Sequence, residues 1–187
     1  MRLIRNARLQ NSKLSENELY TFSLNHTLSV YSIDAVYTFI PKNACSTMRY
    51  SVALQNGYVI DIDDINWIHQ NTQTFVATQR EIATAKYTFT MLRCPFTRVA
   101  SCFLDKIVNQ ICVKFHDSMG NQLSINFNEF LSYIYSQQRE QSDQHWRNQV
   151  DFLHYERYDD YFNLEEFSEA EVTLNNNGFK IDRKSVV

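Results

Sequence analysis

Residues 41–47, PKNACST, place a cation and two hydroxyls directly after the apolar run AVYTFI. A loop that leaves a strand and enters a helix points several backbone N–H groups at one place, where the helix dipole also favours negative charge. Lys42 adds a full positive charge, and Ser46 and Thr47 can donate hydrogen bonds. The segment therefore predicts a seat for a phosphate-like anion, built without glycine. The alternative is an ordinary helix cap beside a solvated lysine.

A second segment with anion-binding residue types is RCPFTRVAS at 93–101. Arg93 follows an apolar run directly, Arg98 comes five residues later, and Ser101 lies eight residues after Arg93. An arginine at a strand end and a serine on the following helix can converge on one phosphate, and a guanidinium binds it in bidentate fashion. The alternative is a pair of surface arginines. The two segments together favour a ligand with two anionic groups.

Both segments lie between a predicted strand and a predicted helix. Apolar and β-branched runs predict strands at 35–40 and 86–92. The first helix should be capped by Ser46 or Thr47 and run to about Asn56, with Gly57 as its left-handed terminator. Further helices are predicted at about 97–113, with the stripe Val99, Phe103, Ile107 and Ile111 facing the core, at 127–138, and over 162–177 before Gly178.

This alternation of strands and helices predicts an α/β domain with a mostly parallel sheet. Ligands of such sheets bind at the carboxyl ends of the strands, which is where both segments lie. The 187 residues suit a single domain spanning 1–187.

Composition excludes several classes of function. A net charge of −3 and a pI near 5.9 give no general attraction to nucleic acid or anionic membrane. The four cysteines form no CxxC pair, which argues against structural zinc and a disulfide framework, and three glycines leave no GxxxxGK[ST] loop. No apolar stretch is long enough to span a membrane, so a soluble, cytoplasmic protein is expected.

Four segments, in order, resemble the carbohydrate sulfotransferases that include the chondroitin and dermatan 4-O-sulfotransferases. PKNACSTMR resembles their PKxACT loop, and MLRCPFTRVASCF resembles their VREPFxRLVSxY element. INFNEFLSYI with DQHWRNQ resembles their FEEFxxYL and HW segments, and YDDYFNLEEF resembles YDxVGKxExLEE. The resemblance covers residues 36–167.

The resemblance implies a fold related to P-loop kinases, with three layers, and sulfuryl transfer from 3′-phosphoadenosine 5′-phosphosulfate (PAPS) to a hydroxyl, without a metal. It implies that Lys42 also stabilises the bridging oxygen that leaves with the nucleotide, by analogy with phosphoryl transfer. The residues that it implies for nucleotide binding are Pro41, Lys42, Asn43, Ala44, Cys45, Ser46, Thr47, Arg49, Arg93, Arg98 and Ser101.

Histidine suits the role of general base near neutral pH. His69 ranks first because related sulfotransferases place a histidine base between the two phosphate loops; the alternative is an ordinary surface or packed histidine. His145, in the HW pair, ranks second, because Trp146 could present it at a pocket wall. Its alternative is a structural histidine beside a tryptophan that anchors the core.

The chain also departs from the family pattern. Cys94 replaces an acidic residue, Met48 replaces an aromatic one, and relatives continue beyond the position of Val187, so a shortened C-terminus is expected. Two other functions stay open: a nucleotide kinase, which the missing GK[ST] loop disfavours, and an inactive relative that binds nucleotide or glycan. Relatives with a Golgi anchor make a membrane-associated or Golgi-lumenal location the alternative. The acceptor expected from the resemblance is a carbohydrate.

Overall fold

The computed structural model describes residues 2–7, 13–58, 65–71, 73–109, 115–116, 122–138 and 142–182. These residues form two compact units. The first unit combines the chain up to Leu92 with the chain from Gln149 onward, and the second unit is the segment from Arg93 to Asn148. The helices in the described ranges are all too short or too polar to cross a membrane.

In the first unit the helices are α1 (Glu18–Leu24), α2 (Cys45–Gln55), α3 (Ile65–Gln70), α4 (Gln79–Thr84), α7 (Gln149–Phe152) and α8 (Phe167–Asn176). Its strands are β1 (Thr27–Val30), β2 (Ala35–Thr38), β3 (Tyr87–Leu92) and β6 (Asp160–Asn163), and it has 3₁₀ turns at Leu14–Glu16, Tyr31–Ile33 and Leu164–Glu166. The second unit contains α5 (Pro95–Cys102), a π-helix (Phe103–Val108), β4 (Phe115–His116), β5 (Gln122–Leu123) and α6 (Phe127–Ser136).

The four strands of the first unit form one sheet in the order β1-β2-β3-β6. β2 pairs with β3 and β3 with β6 in parallel, whereas β1 runs antiparallel to β2. All four residues of β2 are buried, in keeping with its largely apolar sequence, because a central strand is covered on both faces of the sheet. The predicted α/β class with a mostly parallel sheet is confirmed.

Each face of this sheet has its own hydrophobic core. On one face Tyr37 and Phe89 pack with Met48 of α2 and Leu174 of α8. Successive residues of β2 alternate, so Val36 belongs to the opposite core, together with Ile82 of α4, Phe152 and Tyr155. The sheet therefore lies between two helical layers.

Most predicted elements are confirmed, with four corrections. α2 begins at Cys45, so neither Ser46 nor Thr47 caps it. The helix predicted from 97 begins at Pro95 and changes to a π-helix at Phe103; its predicted end lies outside the described residues. β1 was not predicted. Residues 162–163, predicted as helix, belong to β6, and α8 begins five residues later than expected, at Phe167.

Two glycines end helices as predicted. Gly57 has φ +88° after α2, and Gly178 has φ +84° after α8. Only a residue without Cβ adopts these values at little cost, so both positions favour glycine.

In the second unit, α5, the π-helix and α6 enclose a small core. Cys102, Ile107, Phe130 and Trp146 are buried there, and the predicted stripe residues Val99 and Phe103 pack against them. α6 begins with a capping box, in which Asn126 and Glu129 each bond the other's backbone N–H.

Candidate functional site

The turn after β2 has an unusual backbone. Lys42 has φ +71° and Ala44 has φ +55°, although neither is glycine. Residues with a side chain occupy this region at a cost of about 1 to 3 kcal/mol, which the surrounding structure must offset. Left-handed residues within a turn direct successive N–H groups into one concavity that binds anions. The backbone thus has the shape of an anion seat, with half-buried Lys42 in it.

Asn43 holds this turn against the sheet. Its side chain is fully buried and donates to the Met91 carbonyl at 2.8 Å and to Gln149 Oε1 at 2.6 Å, while its backbone N–H donates to the Ile40 carbonyl at 3.1 Å. The amide therefore joins the turn to the end of β3 and to α7. These contacts compensate the strained backbone on either side of Asn43.

The first turn of α2 adds donors to the seat. Ala44 is the N-cap, and its methyl side chain cannot make a cap bond; α2 begins at Cys45, one residue before Ser46. The N–H groups of Cys45, Ser46 and Thr47 have no acceptor within the helix. Within the described ranges, the hydroxyls of Ser46 and Thr47 also lack a hydrogen-bond partner. The helix-cap alternative is therefore wrong for both.

Arg49, which was predicted to bind the nucleotide, lies on α2 with only 6% of its surface exposed. Its guanidinium donates to the Ile68 carbonyl and lies 4.9 Å from the centroid of the Phe39 ring. Burial lowers its pKa, against the opposing effects of Cys45 and Tyr37. The Arg49 bond joins α2 to α3, which carries His69.

His69 lies one residue after Ile68, near the end of α3, and is exposed. The bond from Arg49 therefore fixes the backbone next to this histidine.

A cavity of about 460 Å³ lies along α5 and the π-helix in the second unit. Arg93 and Ser101 both line it, so the structure brings these two predicted residues together; Arg93 Nε also donates to Thr97 Oγ1 at 3.3 Å. The carboxylate of Asp105 lines the same cavity and pairs with Lys106 at 3.1 Å. The complete lining is Arg93, Thr97, Ala100, Ser101, Leu104, Asp105 and Asn109.

Arg98 lies elsewhere, with only 3% of its surface exposed. Its guanidinium donates to the Arg147 carbonyl at 2.7 Å and to the Gln144 carbonyl at 3.2 Å. The cavity lining does not include it. The structure thus places this predicted phosphate ligand against the backbone on both sides of His145.

His145 has a carboxylate partner. Its Nδ1 lies 2.6 Å from Asp143 Oδ1, which also accepts from the His145 backbone N–H at 2.8 Å. Burial tends to raise the pKa of Asp143, but the bonds from His145 and the charge of Lys106 outweigh it, and the pKa lies below its ordinary value. Asp143 was not predicted; the Asp-x-His spacing was the signal available in the sequence.

The neighbouring Trp146 belongs to the hydrophobic core of the second unit. It is buried, donates from Nε1 to Gln137 Oε1 at 2.8 Å, and packs edge-on against Phe130 at 5.5 Å.

Neither unit, in its described part, contains three or more His, Cys, Asp or Glu side chains grouped to hold a metal ion. A family model described as the sulfotransferase family matches residues 30–183. This range contains every candidate residue from Pro41 to His145. Comparison with curated proteins and with solved structures gave no match.

Proposed function

Because the chain belongs to the sulfotransferase family, we propose that it transfers a sulfuryl group from PAPS to a carbohydrate hydroxyl and releases adenosine 3′,5′-bisphosphate. The family membership supports sulfuryl transfer in general. The donor and the acceptor class rest on the resemblance of four ordered segments to the chondroitin and dermatan 4-O-sulfotransferases.

The observation that carries the proposal is the turn at residues 41–44. Lys42 and Ala44 have left-handed backbones, and the side chain of Asn43 anchors the turn between them. The turn leads directly into the first N–H groups of α2, which have no acceptor within the helix. A tetrahedral anion carrying several acceptor oxygens suits this arrangement better than a neutral ligand does. We assign this turn to the 5′-phosphosulfate, with Pro41, Ala44 and Cys45 contributing backbone and Ser46 and Thr47 contributing hydroxyls.

We assign the 3′-phosphate to Arg93 and Ser101. They line one cavity, and a guanidinium with a hydroxyl matches the charge and the acceptor oxygens of a phosphate monoester. Arg49 and Arg98 are assigned positioning roles instead, because their guanidinium groups bond carbonyls of the protein.

Lys42 supplies the charge needed for the chemical step. As the sulfur–oxygen bond to the nucleotide breaks, negative charge grows on the bridging oxygen, and an ammonium group there stabilises the transition state more than the ground state. The acceptor hydroxyl must also lose its proton to a base. The two candidates are His69 and His145.

Calorimetric titration tests the nucleotide assignment. We expect adenosine 3′,5′-bisphosphate to bind at least about tenfold more tightly than ATP, because the 3′-phosphate has its own ligands. Transfer of labelled sulfate from PAPS to desulfated chondroitin and dermatan then tests the reaction. Equal binding of ATP and the bisphosphate would contradict the assignment of the nucleotide, and nucleotide binding without transfer to any glycan would indicate an inactive relative.

A further inference from the structure

The first unit has a cavity of its own, on the face of the sheet that α4 covers. Its volume of about 490 Å³ is within the range of ordinary small-molecule sites. β2 begins at this cavity, whereas the turn at residues 41–44 follows the end of the same strand. The cavity, here called the α4 cavity, is lined among others by Ser29, Tyr31, Asp34, Val36, Glu81 and Lys86.

Ser29 of β1 points into the α4 cavity. It lies directly opposite Val36 in the antiparallel pairing of β1 with β2, and residues opposed in this way have their side chains on the same face of the sheet. Val36 belongs to the hydrophobic core under α4. The side chain of Ser29 is therefore directed towards α4, and both residues line the cavity.

The hydroxyl of Ser29 has an unusual environment. Only 3% of the residue is exposed, and within the described ranges its Oγ has no hydrogen-bond partner. Its backbone is bonded, since the N–H donates to the Phe75 carbonyl at 2.9 Å and the carbonyl accepts from Asn56 Nδ2 at 2.8 Å. A buried hydroxyl without a partner lowers stability, and alanine at this position would not have that cost. A polar ligand in the cavity would satisfy the hydroxyl and explain the serine.

The charged side chains of the lining provide both donors and acceptors. Lys86 pairs with Asp34 at 2.5 Å, and its backbone N–H donates to the Asp34 carbonyl at 2.8 Å. The ammonium group keeps further N–H donors, and the carboxylate keeps further lone pairs. Glu81 Oε2 accepts from the N–H and the hydroxyl of Thr78, both at 2.7 Å, in the capping box of α4. These bonds hold the Glu81 carboxylate in place through one of its two oxygens.

The charges indicate the class of ligand. Lys86 and Asp34 compensate each other, so the excess charge of the described lining is the negative charge of Glu81. A phosphate or sulfate group would be repelled by the two carboxylates, and an ammonium group would be repelled by Lys86. A neutral ligand with several hydroxyls uses the donors and the acceptors together without such repulsion.

Tyr31 adds an aromatic surface to the α4 cavity. Its side chain is about half exposed, and its ring packs edge-on against Phe75 with the centroids 6.3 Å apart. Burial and the negative charge of Glu81 raise the pKa of the Tyr31 hydroxyl, so the carboxylate acts on this ring. A half-exposed ring beside hydrogen-bonding groups suits a ligand with one apolar face and a polar edge, as a sugar ring has.

We propose that the α4 cavity is a second binding site, and that its ligand is a neutral polyhydroxy compound of the size of a sugar ring, hydrogen-bonded by the Ser29 hydroxyl. The inference goes beyond the proposed sulfuryl transfer and does not depend on it.

Saturation-transfer NMR and calorimetry on the full chain test the class of ligand. The neutral probes are glucose, galactose and N-acetylglucosamine; glucosamine is the cationic probe and glucuronate the anionic one. We expect at least one neutral sugar to bind with a Kd on the order of millimolar, and both charged sugars to bind at least about tenfold more weakly. Absence of binding by all three neutral sugars, or tighter binding of either charged sugar, would overturn the proposal.

Ser29→Ala locates the bound sugar. Because the hydroxyl has no partner in the described protein, its removal should leave the melting temperature unchanged or raise it, while the affinity for the neutral sugar falls about three- to tenfold. Ser51→Ala is the matched control. The Ser51 hydroxyl is equally buried, but it donates to the Thr47 carbonyl and accepts from the Asp182 N–H, both at 2.9 Å. Its loss should lower the melting temperature and leave the affinity unchanged. Unchanged affinity in Ser29→Ala, whatever its melting temperature, would overturn the proposal.

Glu81→Gln tests the role of charge. Glutamine also serves at this position of a capping box, so α4 should keep its start, while the excess negative charge of the lining is removed. Glucuronate should then bind within about threefold of the neutral sugar. If the variant discriminates against glucuronate as strongly as the parent does, Glu81 does not face the ligand and the proposed site is wrong. All of these measurements are made without PAPS, so their failure would leave the proposed sulfuryl transfer unaffected.

Discussion

Acidification from pH 7 to pH 4 should destabilise the protein through one imidazole, that of His154. The side chain is fully buried, its Nδ1 lies 2.9 Å from Ser23 Oγ, and its Nε2 has no hydrogen-bond partner within the described ranges. The rings of Tyr20 and Tyr155 pack around it at 5.0 and 5.8 Å. A proton added to this ring would place a charge in the core, and burial accordingly lowers the pKa of His154 from 6.5 to about 4.

The two pKa values set both the sign and the size of the effect. The unfolded chain takes up the proton first, so this contribution to stability is complete above pH 6.5, falls between pH 6.5 and 4, and changes no further below pH 4. At roughly 1.4 kcal/mol for each pH unit of that interval, the free energy of unfolding should decrease by about 3 kcal/mol.

Urea denaturation at half-unit steps of pH measures this decrease. His154→Gln removes the titration and keeps an amide that can bond Ser23, so its free energy of unfolding should change much less over the same interval. Ser23→Ala is the control, since it keeps the buried imidazole and should keep the parent's pH dependence. If the parent and His154→Gln lose the same stability between pH 6.5 and 4.5, the reasoning is refuted.

This effect bears on the enzymology. Loss of folded protein on acidification imitates the acidic limb of a pH–rate profile. The pH–rate profile of the protein should therefore be recorded with the folded fraction measured at each pH.

Two further changes test the nucleotide assignments, and a third tests the strain in the turn at residues 41–44. Arg93→Ala should weaken adenosine 3′,5′-bisphosphate by about 1.5 to 3 kcal/mol in calorimetry and leave adenosine 5′-phosphate unchanged; equal losses would refute the 3′-phosphate role. Lys42→Ala should depress kcat by orders of magnitude with a smaller change in nucleotide affinity, and a variant altered only in KM would contradict a role at the leaving oxygen. Ala44→Gly should raise the melting temperature or leave it unchanged, because glycine adopts φ +55° without strain, whereas a marked decrease would show that the left-handed backbone is not strained.

The strand–turn–helix elements around residues 41–47 and 93–101 could be predicted, because β2 and β3 are short, buried and rich in apolar residues. β1 and β6 were missed. β1, TLSV, mixes polar with apolar residues although all four are buried, and β6 begins with an aspartate and directly precedes a helical pattern. Pairing with a neighbouring strand determines such segments, and a local pattern does not contain that information.

The residue types of the candidate site are visible in the sequence, but the directions of its side chains are not. In the sequence, Arg49 and Arg98 are cations close to the two predicted anion-binding segments. In the structure both are buried, and their guanidinium groups point to backbone carbonyls that lie far away in the sequence. The left-handed backbone at Lys42 and Ala44 was equally hidden, because neither residue prefers it; the contacts of Asn43 with distant Met91 and Gln149 hold it.

The π-helix at Phe103–Val108 determines which side chains share the cavity beside it. In an α-helix, residues four apart overshoot a full rotation by about 40°. In the wider π-turn, with about 4.4 residues, they fall short by about 30°. The side-chain direction rotates one way around the helix axis from Thr97 to Ser101 and back again towards Asp105 and Asn109. All four side chains therefore line one cavity. The six residues of the π-helix turn the chain about as far as five residues of an α-helix would, so deleting one of them and closing the turn to α-helical width would leave the direction of Asn109 nearly unchanged.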